Sequence, residues 1–147
     1  MATISPVTAD DREEWMPLWR GYLEFYETVI PDAVTDRTFA RIVADDSIHG
    51  ALARDADGRA IGLVHWLFHP ATWSIGPYCY LEDLFVAPRA RRSGVGEALI
   101  AHVRARAVVR GASKVYWLTH HDNATARALY DRVATNSGSR HYEISLD

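Results

Sequence analysis

The segment from Tyr78 to Gly111 constrains the fold most, because its pattern predicts a strand, a charged glycine turn and a helix in direct succession. Apolar and aromatic residues predict a strand over 78–86, and Pro88, which has no N–H for a sheet ladder, ends it. A helix is predicted from Val95 onward, with Gly111 as its C-cap. The helical positions that share one apolar face are Leu99, Val103 and Ala107.

The rest of the chain predicts antiparallel hairpins first and a strand–helix–strand unit later. Asp57-Gly58 is a strong signal for a tight hairpin turn. Thr8, with Asp11 three residues on, predicts a helix N-cap, and Pro17 is expected to kink or divide the helix that follows. The other predicted strands cover residues 3–7, 49–54, 60–68, 114–119 and 139–146, and further helices cover 35–44 and 123–133.

This mixed order predicts an α+β (mixed α/β) fold, with residues 1–147 forming a single domain. A formal net charge of −3 argues against a nucleic-acid partner and mildly favours a cationic one. The first residues lack the basic and apolar segments of a secretion signal, and no apolar stretch is long enough to span a membrane. We therefore expect a cytoplasmic protein with no membrane partner.

Cysteine and histidine placement narrows the chemistry further. The single cysteine, Cys79, excludes an intrachain disulfide, and its apolar, aromatic surroundings favour core packing over a reactive nucleophile. His65 and His69 are close in sequence, and His120 and His121 adjoin an aspartate. A third ligand at a convincing spacing is missing from both groups, so no metal site is predicted.

The turn before the predicted helix combines positive charge with bare backbone. Gly94 and Gly96 let the backbone approach a ligand, and the N–H groups of a helix N-terminus bind phosphate oxygens. Arg91 and Arg92 can add charge-assisted hydrogen bonds. No lysine follows Gly96, which excludes a P-loop, and Leu99 replaces the third glycine of a Rossmann fingerprint. By itself, the pattern also fits a simple turn with solvated arginines.

Longer segments favour a phosphate-binding turn over a simple turn, because they resemble a known superfamily. The stretch YLEDLFVAPRARRSGVGEALI, with R-x-x-G-x-G from Arg91 to Gly96, resembles the acetyl-coenzyme A signature of the GNAT superfamily of N-acetyltransferases. VYWLTHHDNATARALYD resembles the next strand and helix of that superfamily, and the likeness covers essentially the whole chain. "YLED", "VYW" and "ALYD" look most like the spermidine/spermine and histone/polyamine acetyltransferase branch. The resemblance implies a mostly antiparallel twisted sheet, splayed at the cofactor site and flanked by about four helices.

The chain departs from the superfamily pattern in two places. Many members have glycine directly after the motif arginine, where this chain has Arg92, but the two later glycines are intact. The segment after Tyr130 lacks the compact glycine-phenylalanine turn common in the superfamily, so its final strand is expected to be displaced or exchanged with a partner subunit. A homodimer is expected by analogy alone.

The resemblance implies acetyl-coenzyme A as cofactor and assigns residues to it. The pantetheine arm is expected to pair with the strand before the turn, at Leu84 and Val86. Asn123 looks like the asparagine that hydrogen-bonds the same arm, and a helix N-cap is its alternative role. The turn residues expected to bind the cofactor are Arg91, Arg92, Ser93, Gly94, Val95 and Gly96.

Two residues are candidates for acid–base catalysis of direct acetyl transfer. Glu82 matches the glutamate of "LED", which is thought to act as a base through water, and a surface ion pair is its alternative role. Strand alternation places Glu82 opposite Leu81 and Asp83 unless a bulge, which the superfamily has here, intervenes. Tyr130 matches a tyrosine beside the cofactor sulfur, where it can protonate the leaving thiolate; core packing is its alternative.

The acceptor site is predicted from the same likeness. Tyr26 and Glu27 match a pair that lines the amine site of polyamine acetylators, and Asp83 and Trp73 have plausible counterparts. Carboxylates with aromatic rings suit a small cationic amine such as a polyamine or diamine. Two other functions stay open: acetylation of a peptide or protein amine, and a non-catalytic acyl-coenzyme A-binding module.

Overall fold

A five-stranded sheet organises the first part of the chain. In this computed structural model, which describes residues 2–146, the strand order is β1-β2-β3-β4-β5. Neighbouring strands are antiparallel except β4 and β5, which are parallel. The strands are β1 (Thr3–Pro6), β2 (His49–Arg54), β3 (Ala60–His69), β4 (Tyr78–Val86) and β5 (Lys114–Tyr116).

The described residues contain four α-helices, and local sequence signals set several of their ends. They are α1 (Arg12–Phe25), α2 (Asp32–Ala44), α3 (Val95–Val109) and α4 (Ala124–Val133). The N-cap predicted at Thr8 is confirmed, because its N–H donates to the Asp11 carboxylate at 2.8 Å in a capping box before a short 3₁₀ turn that leads into α1. Pro17 lies inside α1 without dividing it. The Asp57-Gly58 turn is confirmed between β2 and β3, with Gly58 at φ +81°.

Apolar layers cover both faces of the sheet. On one face, α1 and α2 bury Trp15, Phe39 and Ile42 against the sheet. On the other face, α3 buries Leu99 and Val103, and Leu99 approaches Gly62 of β3 closely. The predicted core position of Cys79 is also confirmed, since it is fully buried, and burial raises the pKa of its thiol to about 11.

The chain divides into two compact units, one ending at Tyr116 and one beginning at Trp117. The α+β class, the mostly antiparallel five-stranded sheet and the number of α-helices are confirmed for residues 2–146. The single domain over 1–147 stays a prediction, and Met1 and Asp147 lie outside the described residues. Among residues 2–146, no helix has the length and apolar character needed to cross a membrane.

Two strand predictions near the C-terminus are wrong. The strand predicted over 114–119 stops at Tyr116, and residues 139–146 form no strand. Period-two apolar residues suggested that last strand, but a strand needs a neighbour to accept its backbone hydrogen bonds. The described chain places no ladder beside this segment, and its apolar side chains Tyr142, Ile144 and Leu146 are all at least 88% exposed.

Candidate active site

Both acidic candidates lie on β4, where a β-bulge sets their directions. Leu81 pairs with Trp66 of β3 and Asp83 pairs with His65, so the register skips Glu82. Successive residues Trp66 and His65 point to opposite faces, and paired residues share a face. Leu81 and Asp83 therefore point to opposite faces. The shared face expected from regular alternation is wrong, and the bulge that the resemblance implied is confirmed.

Tyrosines from α1 and β4 lie close to these two carboxylates. Tyr22 of α1 hydrogen-bonds Asp83, and burial together with the charge of Asp83 raises the pKa of Tyr22. Burial and the charge of Glu82 raise the pKa of Tyr80 to about 12. Partial burial and the adjacent charge of Asp83 raise the pKa of Glu82, although its side chain still reaches solvent. A carboxylate with a raised pKa is a stronger base for an amine proton.

A buried histidine supports Asp83 from behind. His65 is 1% exposed, and its Nδ1 lies 2.9 Å from Oδ2 of Asp83. Its Nε2 lies 3.1 Å from the indole Nε1 of Trp15, which is fully buried. Local sequence patterns do not reveal this cluster, because Trp15 and His65 are 50 residues apart and only the fold brings them together.

Beyond Tyr80, β4 has no paired strand on the side away from β3 among residues 2–146. Pairing with β5 ends at Tyr80 and Tyr116, so this part of the sheet separates as the resemblance implied. Leu84 and Val86 lie on that stretch, among residues 2–146 without a second neighbouring strand, and the Val86 carbonyl accepts a hydrogen bond from Nε of Arg91 at 3.1 Å. An exposed strand edge of this kind can pair with the amides of an extended ligand.

Two left-handed residues shape the turn between β4 and α3. Gly94, the N-cap of α3, has φ +84°, and Arg92 has φ +64°. An L-residue adopts this conformation at a cost of about 1–2 kcal/mol, which explains why glycine suits both positions. The Ser93 hydroxyl donates to the Ala90 carbonyl and tightens the turn. Val95 is buried and begins α3, so the N-terminal donors of that helix open onto the turn.

The two motif arginines have different surroundings. The guanidinium of Arg91 lies 5.6 Å from the ring centre of Phe85 and 5.9 Å from that of Phe25, so it packs toward α1. Arg92 is exposed. Gly96 lies in the first turn of α3 and is partly buried. The turn therefore carries two exposed cations beside a helix N-terminus, and one of them packs over aromatic rings.

The predicted acceptor residues are only partly brought together. Tyr26 packs against Tyr22 with ring centres 5.0 Å apart, and burial and the charge of Asp83 raise its pKa. Glu27 follows at φ +51° and is exposed. Trp73 lies in the connection between β3 and β4 and is 91% exposed. Tyr26 and Asp83 thus lie close enough to interact, and the acceptor-binding role of all four residues stays a prediction.

The second unit carries the other two candidates. Asn123 occupies the N-cap position of α4, but within the described chain its side chain makes no capping hydrogen bond, so that alternative role is not used. Tyr130 lies on α4 with its ring centre 5.4 Å from that of Trp117, in an edge-to-face arrangement. Tyr130 is partly buried. Its catalytic role stays a prediction.

The first unit offers charge and proton chemistry. Two adjacent carboxylates and several tyrosines can attract an amine and remove its proton. Among residues 2–146, no group of three or more His, Cys, Asp and Glu side chains is arranged to hold a metal ion.

A family model and individual relatives agree on the kind of protein. The model described as "Acetyltransferase (GNAT) family" matches residues 12–134. The chain is 41% identical over 133 residues to the D-amino-acid N-acetyltransferase HPA3 of Saccharomyces cerevisiae, covering 89% of this chain and 83% of the relative. It is 27% identical over 130 residues to the thialysine N-epsilon-acetyltransferase of Caenorhabditis elegans, covering 88% of this chain and 80% of the relative.

Solved structures agree on the fold. AAC(6')-Iy, solved with the bisubstrate analog CoA-S-monomethyl-acetylneamine, superposes with a TM-score of 0.85. The alignment covers 100% of this chain and 99% of that one at 21% identity, so the likeness shows the fold alone.

Proposed function

Because the chain belongs to the GNAT acetyltransferase family and is an acetyl-coenzyme A-dependent N-acetyltransferase, we propose that it acetylates a primary amine of a small cationic acceptor. The adjacent carboxylates of Glu82 and Asp83, facing Tyr22 and Tyr80, carry this proposal. An ammonium group is the ligand that such a site attracts. A polyamine or diamine fits this site best, in line with the motifs YLED, VYW and ALYD, which resemble the spermidine/spermine and histone/polyamine acetyltransferase branch.

The turn and the β4 edge fit the cofactor. The left-handed Gly94 allows close approach at the start of α3, and the exposed Arg92 supplies charge for phosphate groups. Leu84 and Val86 present the open edge for the pantetheine amides, and we extend the cofactor site to Asn123 by family likeness. Once bound, the cofactor supplies an acetyl thioester that an uncharged amine can attack.

In the proposed reaction, residues of this chain accept a proton from the amine and donate a proton to the leaving thiolate. An alkylamine is mostly protonated near neutral pH, so a proton must leave before attack. Glu82, whose pKa is raised by partial burial and by Asp83, takes that proton directly or through water. Asp83 and Tyr26 hold the ammonium group before deprotonation. Tyr130 protonates the departing thiolate by donating from its hydroxyl group.

Relatives suggest which amines to test. The Saccharomyces cerevisiae relative is named for D-amino acids, and the Caenorhabditis elegans relative for the N-epsilon amine of thialysine. Both names describe small amines, which supports a small acceptor over a protein amine. We therefore propose a panel of diamines, polyamines, thialysine, D-amino acids, aminoglycosides and basic peptides.

Thiol release from acetyl-coenzyme A across that panel tests the proposal. Glu82→Gln is expected to lower kcat by about 100-fold or more, because base catalysis contributes roughly that factor. Tyr130→Phe should lower kcat while the Kd for the cofactor stays within about twofold in both variants. Glu13→Gln, on the exposed face of α1, is the matched control and should match the wild type. Tight cofactor binding without turnover of any small amine would contradict the proposed acceptor class, and turnover of basic peptides alone would favour a protein amine.

A further inference from the structure

Behind the acceptor site, the structure assigns a positioning role to His65: this neutral ring, locked by the indole of Trp15, holds Asp83 as a fixed anion for the acceptor's ammonium group. The inference rests on the proposed function for its ligand, but the protonation and hydrogen bonds of His65 can be tested without turnover. It concerns three side chains from α1, β3 and β4 that meet only in the folded chain.

The hydrogen bonds determine the protonation of the ring. An indole nitrogen can only donate, so Nε2 of His65, 3.1 Å from Nε1 of Trp15, must accept. An accepting Nε2 carries no proton, so the ring is neutral and its single proton is on Nδ1. Nδ1 lies 2.9 Å from Oδ2 of Asp83 and therefore donates to it.

Packing holds the ring in this orientation. His65 is 1% exposed, and its ring centre lies 6.0 Å from that of Trp15 and 5.6 Å from that of Trp19. Gly50 of β2 pairs with His65 across the sheet and lies close to the ring, since a Cβ built there would lie 3.2 Å from Cδ2 of His65. Rotation of the ring would break both hydrogen bonds within a closely packed interior.

This arrangement leaves the charge of Asp83 uncompensated. Its two identified donors, His65 and the hydroxyl of Tyr22, are neutral. Among the ion pairs of residues 2–146, only His65 meets Asp83, and that ring carries no charge. Asp83 is only 13% exposed, so solvent screens it weakly. A cationic ligand is therefore the partner that would complete the site.

The same geometry excludes His65 as the catalytic base. Nδ1 is bonded to Asp83, Nε2 is bonded to Trp15, and almost no ring surface reaches solvent. His65 thus touches no substrate and acts through the carboxylate that it holds. Its effect belongs to acceptor binding and should appear in KM for the amine more than in kcat.

Nitrogen-15 NMR of the wild-type protein tests the structural part directly. We expect His65 to show the neutral tautomer with its single proton on Nδ1 under the conditions of the activity assay. An Nε2–H tautomer or an imidazolium under those conditions would overturn the inference. This measurement needs no substrate, so it decides the structural part even if no amine turns over and the proposed function fails.

Variants with matched controls test the link to acceptor binding, with 1,4-diaminobutane as the probe. Trp15→Phe removes the donor to Nε2 and lets the ring take a second proton as pH falls, which would neutralise Asp83. Its KM for the probe, relative to wild type, should rise roughly tenfold between pH 8 and pH 6. Trp66→Phe is the control, because Trp66 is also a buried tryptophan but lies on the opposite face of the sheet from His65, where its ring packs against His49 and His102. The titratable groups facing Asp83 that both profiles share are Tyr22, Tyr26, Tyr80 and Glu82.

A second pair of variants keeps the test valid if Trp15→Phe does not fold. His65→Asn retains a short donor toward Asp83 and should keep KM for the probe within about threefold, whereas His65→Leu should raise it roughly tenfold. His49→Leu is the control, because His49 is also buried and contacts Asp45 at 2.6 Å, outside the proposed site. Equal KM changes in His65→Leu and His49→Leu, or a loss confined to kcat, would overturn the positioning role.

Discussion

Gly94 and Gly58 offer a matched test of the proposed cofactor turn. Their φ angles are +84° and +81°, and a Cβ added at either position would meet no heavy atom within 4 Å. Alanine is therefore sterically tolerated at both, and the backbone conformation alone makes it costly. Gly58 lies in the β2–β3 turn, whereas Gly94 begins α3 at the proposed phosphate site.

The expected loss of stability is the same at both glycines. Left-handed strain on alanine costs about 1–2 kcal/mol, and reduced freedom of the unfolded chain offsets about 0.4–1 kcal/mol of that. The net loss is about 1 kcal/mol, which lowers Tm by roughly 2–4 °C in a chain of this size. Thermal unfolding of Gly94→Ala and Gly58→Ala measures it.

Only Gly94→Ala is expected to weaken cofactor binding. If the turn relaxes to relieve the strain, at least one donor at the start of α3 loses its alignment with a phosphate oxygen. A charge-assisted hydrogen bond is worth about 1.5–3 kcal/mol, so the Kd for acetyl-coenzyme A should rise roughly 10- to 150-fold. Calorimetric titration at one fixed salt concentration measures this. An unchanged Kd in Gly94→Ala would refute the phosphate role of the turn, and clearly different Tm losses in the two variants would refute the strain argument.

Three further predictions concern proton affinity, packing and thiol reactivity. Asp83→Asn removes one of the two causes that raise the pKa of Glu82, so the acidic limb of the kcat/KM pH profile should move to lower pH; a shift to higher pH would contradict the assignment of the base. Gly76→Ala should lower the free energy of unfolding by at least about 2 kcal/mol in a urea titration, because the new Cβ would lie 2.1 Å from the Gly111 carbonyl oxygen; an unchanged midpoint would contradict this contact. Cys79, buried and with its pKa raised to about 11, should resist a disulfide reagent at pH 8 until the chain unfolds, and rapid labelling of the folded protein would show that the thiol is accessible.

Local sequence signals predicted much of the fold. The Asp57-Gly58 turn, the capping pair of Thr8 and Asp11, and the core position of Cys79 each depend on neighbouring residues, and all three are confirmed. Their physical causes, turn conformation, helix-end hydrogen bonding and apolar context, can be read within a few positions of the chain.

Features that depend on distant partners could not be predicted in the same way. Residues 139–146 have the alternating pattern of a strand, but pairing depends on a neighbour that the described chain does not provide. The opposite directions of Leu81 and Asp83 follow from cross-strand register, and the bond between Trp15 and His65 follows from packing of α1 on the sheet. The sequence identified candidate groups for the site, but the fold was needed to show how they are held.

The bulge in β4 has a consequence for how the proposed base could be lost. Leu81 and Asp83 already pair with adjacent residues of β3, so deleting Glu82 would leave a regular ladder with every other side chain on its present face. The pairing of β3 with β4 does not use this residue, which separates the strand register from the proposed acid–base chemistry. A single-codon deletion is therefore expected to remove the carboxylate and leave a regular β3–β4 ladder.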